Sequence, residues 1–235
     1  MDGNAERIDR DWYDQSAYFD AGDHIRDFGS RFQRYRAAKV LDLARPAATD
    51  RVLDLGCGWG TISFALAPLV REVVGLDFSE RAVAGCDREL ERRELSNVVF
   101  RVGDAGASGL AAGSFDLVVA ADLFEHLYPE DSGSVAEEAF RLLRAGGALA
   151  VWTPCRSHLL EVLKNNDIVL RRDVSHVDYK SLPRLKALLT EAGFRVERAY
   201  YAESHLPVLS WIERAAGRWI PLLRRRIAVL ARKPG

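Results

Sequence analysis

Val52-Leu53-Asp54-Leu55-Gly56-Cys57-Gly58-Trp59-Gly60 is a short apolar run that ends in an acid and then three alternating glycines. The pattern predicts a buried strand running into a tight turn, where missing side chains let the backbone approach a ligand closely. Twenty-one positions beyond Gly56, a second apolar run from Val73 to Leu76 ends at Asp77. That is about where a doubly wound fold places the carboxylate that grips a ribose. Working outward, apolar segments near 51–55, 72–77, 98–102, 115–120, 148–153, 194–201 and 226–232 alternate with helical patterns. This alternation predicts βαβ units and a mostly parallel α/β sheet. Ser79 is placed to cap a helix running toward Leu95, a helix is expected over 181–192, and Gly146 and Gly193 stand where helix C-caps belong.

The strand-then-acid theme recurs in Val98 to Asp104, followed by Ala105, and the segment 114–127 reads Ser-Phe-Asp-Leu-Val-Val-Ala-Ala-Asp-Leu-Phe-Glu-His-Leu. Together these motifs resemble the class I S-adenosylmethionine-dependent methyltransferases of small-molecule type, similar to those of ubiquinone and menaquinone biosynthesis. Asp54, Gly56, Gly58 and Gly60 fill the first motif, and Phe124, Glu125 and His126 stand in place of the family's Leu-Glu-His. The segment Arg141 to Pro154 looks like the turn into strand five, with Ala145 departing from the usual proline. The likeness covers roughly residues 30 to 155. It implies a Rossmann-like, seven-stranded, mostly parallel sheet with helices on both faces, an N-terminal helical lid, and a final strand inserted antiparallel between its two predecessors. A dinucleotide-binding oxidoreductase is disfavoured, because the glycines are spaced Gly-x-Gly-x-Gly and an acid beside the turn would repel a pyrophosphate.

The cofactor implied is S-adenosylmethionine. By the resemblance, Asp54, Gly56, Cys57 and Gly58 line its methionine end, Asp77 with Phe78 the ribose, and Asp104 with Ala105 the adenine. Ala121 and His126 lie near the methyl group, and Tyr13 and Tyr18 come from the lid. The expected function is methyl transfer to oxygen or nitrogen of a small metabolite. Alternatives are a lipid-like or quinone acceptor at a membrane surface, or a non-catalytic binder of the cofactor.

Length and composition predict one domain over 1–235, and the resemblance divides it into a lid (1–40), a cofactor-binding core (41–155) and an acceptor-side segment with the last strands (156–235). The chain has 235 residues, 48% of them hydrophobic, and a net charge of -1, so nothing favours nucleic acid as a partner. A cytoplasmic address is expected, since the start lacks the apolar core of a signal peptide. Cys57, Cys86 and Cys155 form no Cys-x-x-Cys pair, and no metal ligand is assigned. Asn/Asp-Pro-Pro-Tyr, which marks amino-group methylation of adenine or glutamine, is replaced by Ala120-Ala121-Asp122-Leu123.

Histidines are the candidate bases, because their unperturbed pKa lies nearest physiological pH. His126 and His176 are the catalytic candidates, with second-layer support of a helix start as the other reading of His126. Lys164, Arg171, Arg172, Asp173 and Lys180 could receive an acidic metabolite or form a solvated face, and Trp152 is placed near the pocket. Residues 206–235 carry seven Arg and Lys residues interleaved with tryptophans and aliphatics. This stretch suits contact with an anionic membrane, but a packing helix followed by an arginine-protected edge strand is preferred.

Overall fold

The computed structural model describes residues 7–15, 28–166, 168 and 172–235. Strands β1 (Arg51–Leu55), β2 (Glu72–Asp77), β3 (Val98–Val102), β4 (Phe115–Ala121), β5 (Leu143–Pro154), β6 (Arg195–Ala202) and β7 (Arg226–Arg232) form one sheet in the order β3-β2-β1-β4-β5-β7-β6. The first five run parallel, and β7 pairs antiparallel with both β5 and β6. The expected insertion of the last strand is therefore present.

Neighbouring residues of each central strand feed opposite faces, as the two-residue period requires. Val52, Val73, Val119 and Trp152 pack on one side with Val40 and Leu43 of helix Arg31–Ala44 and with Ile62 and Phe64 of helix Thr61–Leu66. Leu53, Val74, Val118 and Val151 pack on the other with Ala136 and Leu142 of helix Pro129–Leu142 and with Leu185 and Leu189 of helix Leu182–Glu191. Two apolar layers clamp the sheet and leave the C-terminal ends of its parallel strands to carry loops.

Ser79 caps helix Glu80–Arg93 as expected, its Oγ accepting from the Ala82 N–H at 3.1 Å. Gly193, at φ 98°, closes helix Leu182–Glu191, and its N–H donates to the Thr190 carbonyl. Gly146 is a correction. It caps no helix but lies inside β5, at φ 74°, where the register against β4 slips between Phe115 and Leu117. The extra residues are absorbed as a bulge, so the strand starts at Leu143 rather than near 148.

β7 is also not an edge strand. It lies inside the sheet, and its arginines are engaged: Arg226 with Asp122, and Arg232 with Glu197. Helix Pro207–Ala216 buries Glu213, yet Trp211 is 71% exposed and Trp219, just beyond it, 73%. The tryptophans of this stretch thus face outward instead of packing. Among the described residues, no helix is long and apolar enough to cross a membrane.

Candidate cofactor and acceptor cleft

β1 delivers the glycine loop to the C-terminal edge of the sheet. The Gly56 and Cys57 N–H groups both donate to the Leu76 carbonyl, at 2.8 and 3.0 Å, and the Gly58 N–H donates to Asp77 Oδ2 at 2.8 Å. Gly56 and Gly60 each adopt φ 72°, a left-handed conformation that favours glycine. A Cβ on Gly56 would stand 2.8 Å from the Leu123 side chain, and one on Gly60 2.9 Å from Phe64. Gly58 is different, since a Cβ there would meet nothing within 4 Å. Two glycines let the loop pack down, and the third leaves its upper face open.

That face borders a cavity of about 720 Å³. Gly56, Cys57, Gly58, Asp77, Phe78, Asp104, Ala105, Ala121, His126, Tyr13 and His176 all line it. Tyr18 lies outside the described residues. Asp77 also accepts from the Ser79 N–H at 3.0 Å, so each carboxylate oxygen already fixes a loop amide. Asp104 holds its own turn by accepting from the Gly106 N–H at 2.7 Å. Tyr13, on helix Arg10–Gln15, packs edge-on to Phe78 and brings its hydroxyl 2.9 Å from His126 Nδ1.

Asp54 is the exception among the sequence candidates. It is 2% exposed and sits beneath the loop, accepting from Ser63 Oγ at 2.6 Å. Burial lifts its pKa to about 6, against the lowering effect of Ser63. Its place is in the loop's foundation rather than against the methionine end.

The opposite end of the cleft is built on the single turn Phe124–His126, which follows β4. Lys180, only 1% exposed, donates from Nζ to the Phe124 carbonyl at 2.9 Å and the Leu127 carbonyl at 2.7 Å. This ammonium is a clamp on the turn, not a receiver for an acidic metabolite. Glu125 accepts from Thr153 Oγ1 at 2.8 Å. Burial, together with the Asp122 charge, pushes its carboxyl well above the usual range. His126 Nδ1 lies 3.0 Å from the Ser175 carbonyl, and its ring centroid is 4.9 Å from that of His176. Burial and then the neighbouring His176 depress His126 to about 4, and burial also lowers His176, so both imidazoles are neutral at pH 7.

Several lining residues were assigned no role from the sequence. Asp122, at φ 58°, is chelated by Arg36 Nε and Arg226 Nη1, each at 2.6 Å. Burial would raise its pKa, but the two guanidiniums outweigh it and hold the group ionised. Trp59, Glu161 and Asp173 also border the cavity. Trp152, expected near the pocket, is instead buried in the core beside Tyr35. Cys155 is buried next to Ser157, at 3.2 Å.

A family model described as a methyltransferase domain matches residues 47–197. The chain belongs to this methyltransferase-domain family. Nocamycin O-methyltransferase of Saccharothrix syringae is 38% identical over 129 residues, which cover 54% of this chain and 45% of that enzyme. Ubiquinone biosynthesis O-methyltransferase of Thiobacillus denitrificans is 27% identical over 192 residues, 79% of this chain and 78% of the relative. The chain spans about half the length of the first curated relatives it matches. A solved structure of Haemonchus contortus phosphoethanolamine N-methyltransferase 2, in complex with S-adenosyl-L-methionine, superposes with a TM-score of 0.70. It is 18% identical and the match covers 96% of this chain and 60% of that one, which shows the shared fold. The methyltransferase domain therefore has the Rossmann-like sheet that its motifs implied, and the matched span includes the glycine loop, Asp77, Asp104, His126 and His176.

Proposed function

We propose that this domain transfers a methyl group from S-adenosylmethionine to oxygen or nitrogen of a small-molecule acceptor. The observation that carries the reading is one continuous cleft, with the open Gly58 face, Asp77 and Asp104 toward one end and His126 with His176 toward the other.

The residues present fit the cofactor. Gly58 leaves an open face toward its methionine part, with Gly56 and Cys57 beside it on the cavity wall. Asp77, buried and fixed by two loop amides, has remaining lone pairs for ribose hydroxyls, and Phe78 packs beside it. Asp104 and Ala105 border the adenine position, while Ala121 and Tyr13 enclose the middle. When bound, the sulfonium supplies a methyl group that is already activated. The chain's part is then to hold the acceptor in line, exclude water, and receive a proton where the acceptor loses one. His176, neutral and beside the cleft, contacts the acceptor, and His126 stands behind it.

Calorimetric titration with S-adenosylmethionine, S-adenosylhomocysteine and NAD tests this directly. Micromolar binding of the two adenosyl compounds without NAD is expected. Binding of NAD alone would overturn the reading.

A further inference from the structure

Glu125, His126 and His176 each place one potential ligand atom within 4.8 Å of the others at the acceptor end of the cleft. The grouping joins two segments far apart in sequence, and its make-up is a carboxylate with two imidazoles. Glu125 is fully buried. Thr153 occupies its Oε2, but Oε1 has no hydrogen-bond partner. A buried carboxyl oxygen left unpaired is costly, and a bound cation would satisfy it in place of the proton that burial otherwise keeps there.

The imidazoles are prepared for the same occupant. His126 Nδ1 faces the Ser175 carbonyl, an acceptor only, so the Nδ1 carries the proton and Nε2 the lone pair. His176 Nδ1 lies 2.7 Å from Tyr179 Oη, and that hydroxyl donates in turn to Glu161 Oε2 at 3.1 Å. With the phenol proton on Glu161, Nδ1 of His176 is the donor. Its Nε2 then points a lone pair 3.5 Å from Asp173 Oδ2. Two acceptors that close, with no proton between them, match neighbouring ligands of a shared ion. Hydrogen-bonded outer partners of this kind fix tautomer and ring orientation in metal sites.

We propose that Glu125, His126 and His176, with Asp173 as a further ligand, bind a divalent transition-metal cation that receives a hydroxyl-bearing acceptor. Bonds of about 2.0–2.2 Å bring ligand atoms within about 3–4.3 Å of one another, so the three residues within 4.8 Å close on an ion by side-chain adjustment, with Asp173 joining from beside His176. Nitrogen and carboxylate ligands suit manganese, iron, cobalt or zinc, and four protein ligands leave positions open for oxygen on an octahedral ion. The proposal rests on the methyl-transfer reading and specifies its acceptor as an oxygen nucleophile. On binding, the acceptor O–H loses its proton to solvent, and the cation stabilises the resulting oxyanion. That oxygen forms the bond to the methyl carbon as the carbon–sulfur bond breaks, its electron pair remaining on sulfur.

The test is titration of the chelator-treated full chain with Co2+, followed by visible absorption and by proton NMR. One ion per chain is expected, with d–d bands and two hyperfine-shifted imidazole N–H signals. Glu125→Gln and His176→Gln should each weaken Co2+ binding at least tenfold. Catechol, added as a probe for hydroxyl oxygens, should shift the bands of the loaded wild type. Absence of saturable uptake, or uptake without shifted imidazole signals, overturns the site, and the wild-type spectra decide this even if a variant fails to fold. Unchanged bands with catechol overturn the acceptor class. S-adenosylhomocysteine titration run in parallel separates the failures: if it binds and Co2+ does not, only the metal assignment falls.

Discussion

The Tyr13 hydroxyl lies 2.9 Å from His126 Nδ1, so the short N-terminal helix is fastened to the acceptor end of the cleft by its single buried phenol. The same ring rests edge-on against Phe78, next to Asp77. One side chain thereby touches both ends of the cavity. Replacing Tyr13 with Phe keeps the ring contact and removes only the hydroxyl, a loss of about 0.5–1.5 kcal/mol. S-adenosylhomocysteine affinity should fall about two- to tenfold, and protease cleavage within residues 7–15 should quicken. Calorimetry and timed proteolysis check both, and unchanged values would show that the helix is held by its other contacts, among them the Ser79 hydroxyl donating to Asp14.

Lys180 is the second fastening. Its ammonium serves the carbonyls of Phe124, Leu127 and, at 3.2 Å, Asp178, which ties the Glu125–His126 turn to the segment that carries His176. Methionine has a stem of similar length but no donor, so Lys180→Met leaves buried carbonyls unpaired. Urea unfolding should show a loss of about 2–4 kcal/mol. A loss below about 0.5 kcal/mol would mean that the turn is held by its apolar neighbours instead.

Asp77 carries two duties that a single substitution separates only in part. Asp77→Ala removes the carboxylate from the cleft and frees the Gly58 and Ser79 amides that it holds. Cofactor affinity should fall by about 1–3 kcal/mol through lost charge-assisted hydrogen bonds. An unchanged dissociation constant would remove Asp77 from the binding surface and leave it as a loop brace.

The strands and the glycine loop were legible because their signals are local: apolar runs, an acid at the strand end, and glycines where only a left-handed backbone fits. Even the antiparallel last strand followed from resemblance. What escaped depends on three-dimensional closure. Asp54 looks like a ligand-facing acid in sequence, yet Ser63, nine residues on, folds back to cover it. Lys180 and Trp152 carry residue types that favour a pocket, and only the packing of distant segments shows that both are buried inside the structure. The meeting of Glu125 and His126 with His176 has no sequence spacing to betray it, since it is made by a loop crossing over a turn. Gly146 was misplaced because a bulge and a helix cap ask for the same backbone angle.

Asp54 offers the cleanest pH test of this distinction between foundation and surface. In the folded chain, burial raises its pKa from 3.8 to about 6. The unfolded chain releases the same proton near 3.8. Between those values the folded state holds the extra proton, so this group's contribution to stability is full below about pH 4 and is lost as pH rises through 6. Asn at this position does not titrate but keeps an oxygen for Ser63. Groups without an electrostatic link to Asp54, the depressed His126 included, are common to both proteins and cancel in the difference, which leaves the neighbouring Asp77 as a small residual term. The stability of Asp54→Asn relative to wild type should therefore rise by about 3 kcal/mol between about pH 3.5 and pH 7. Urea midpoints across that range measure it. A flat difference would show that the carboxylate is solvated, and would return Asp54 to the cleft surface where its motif first placed it.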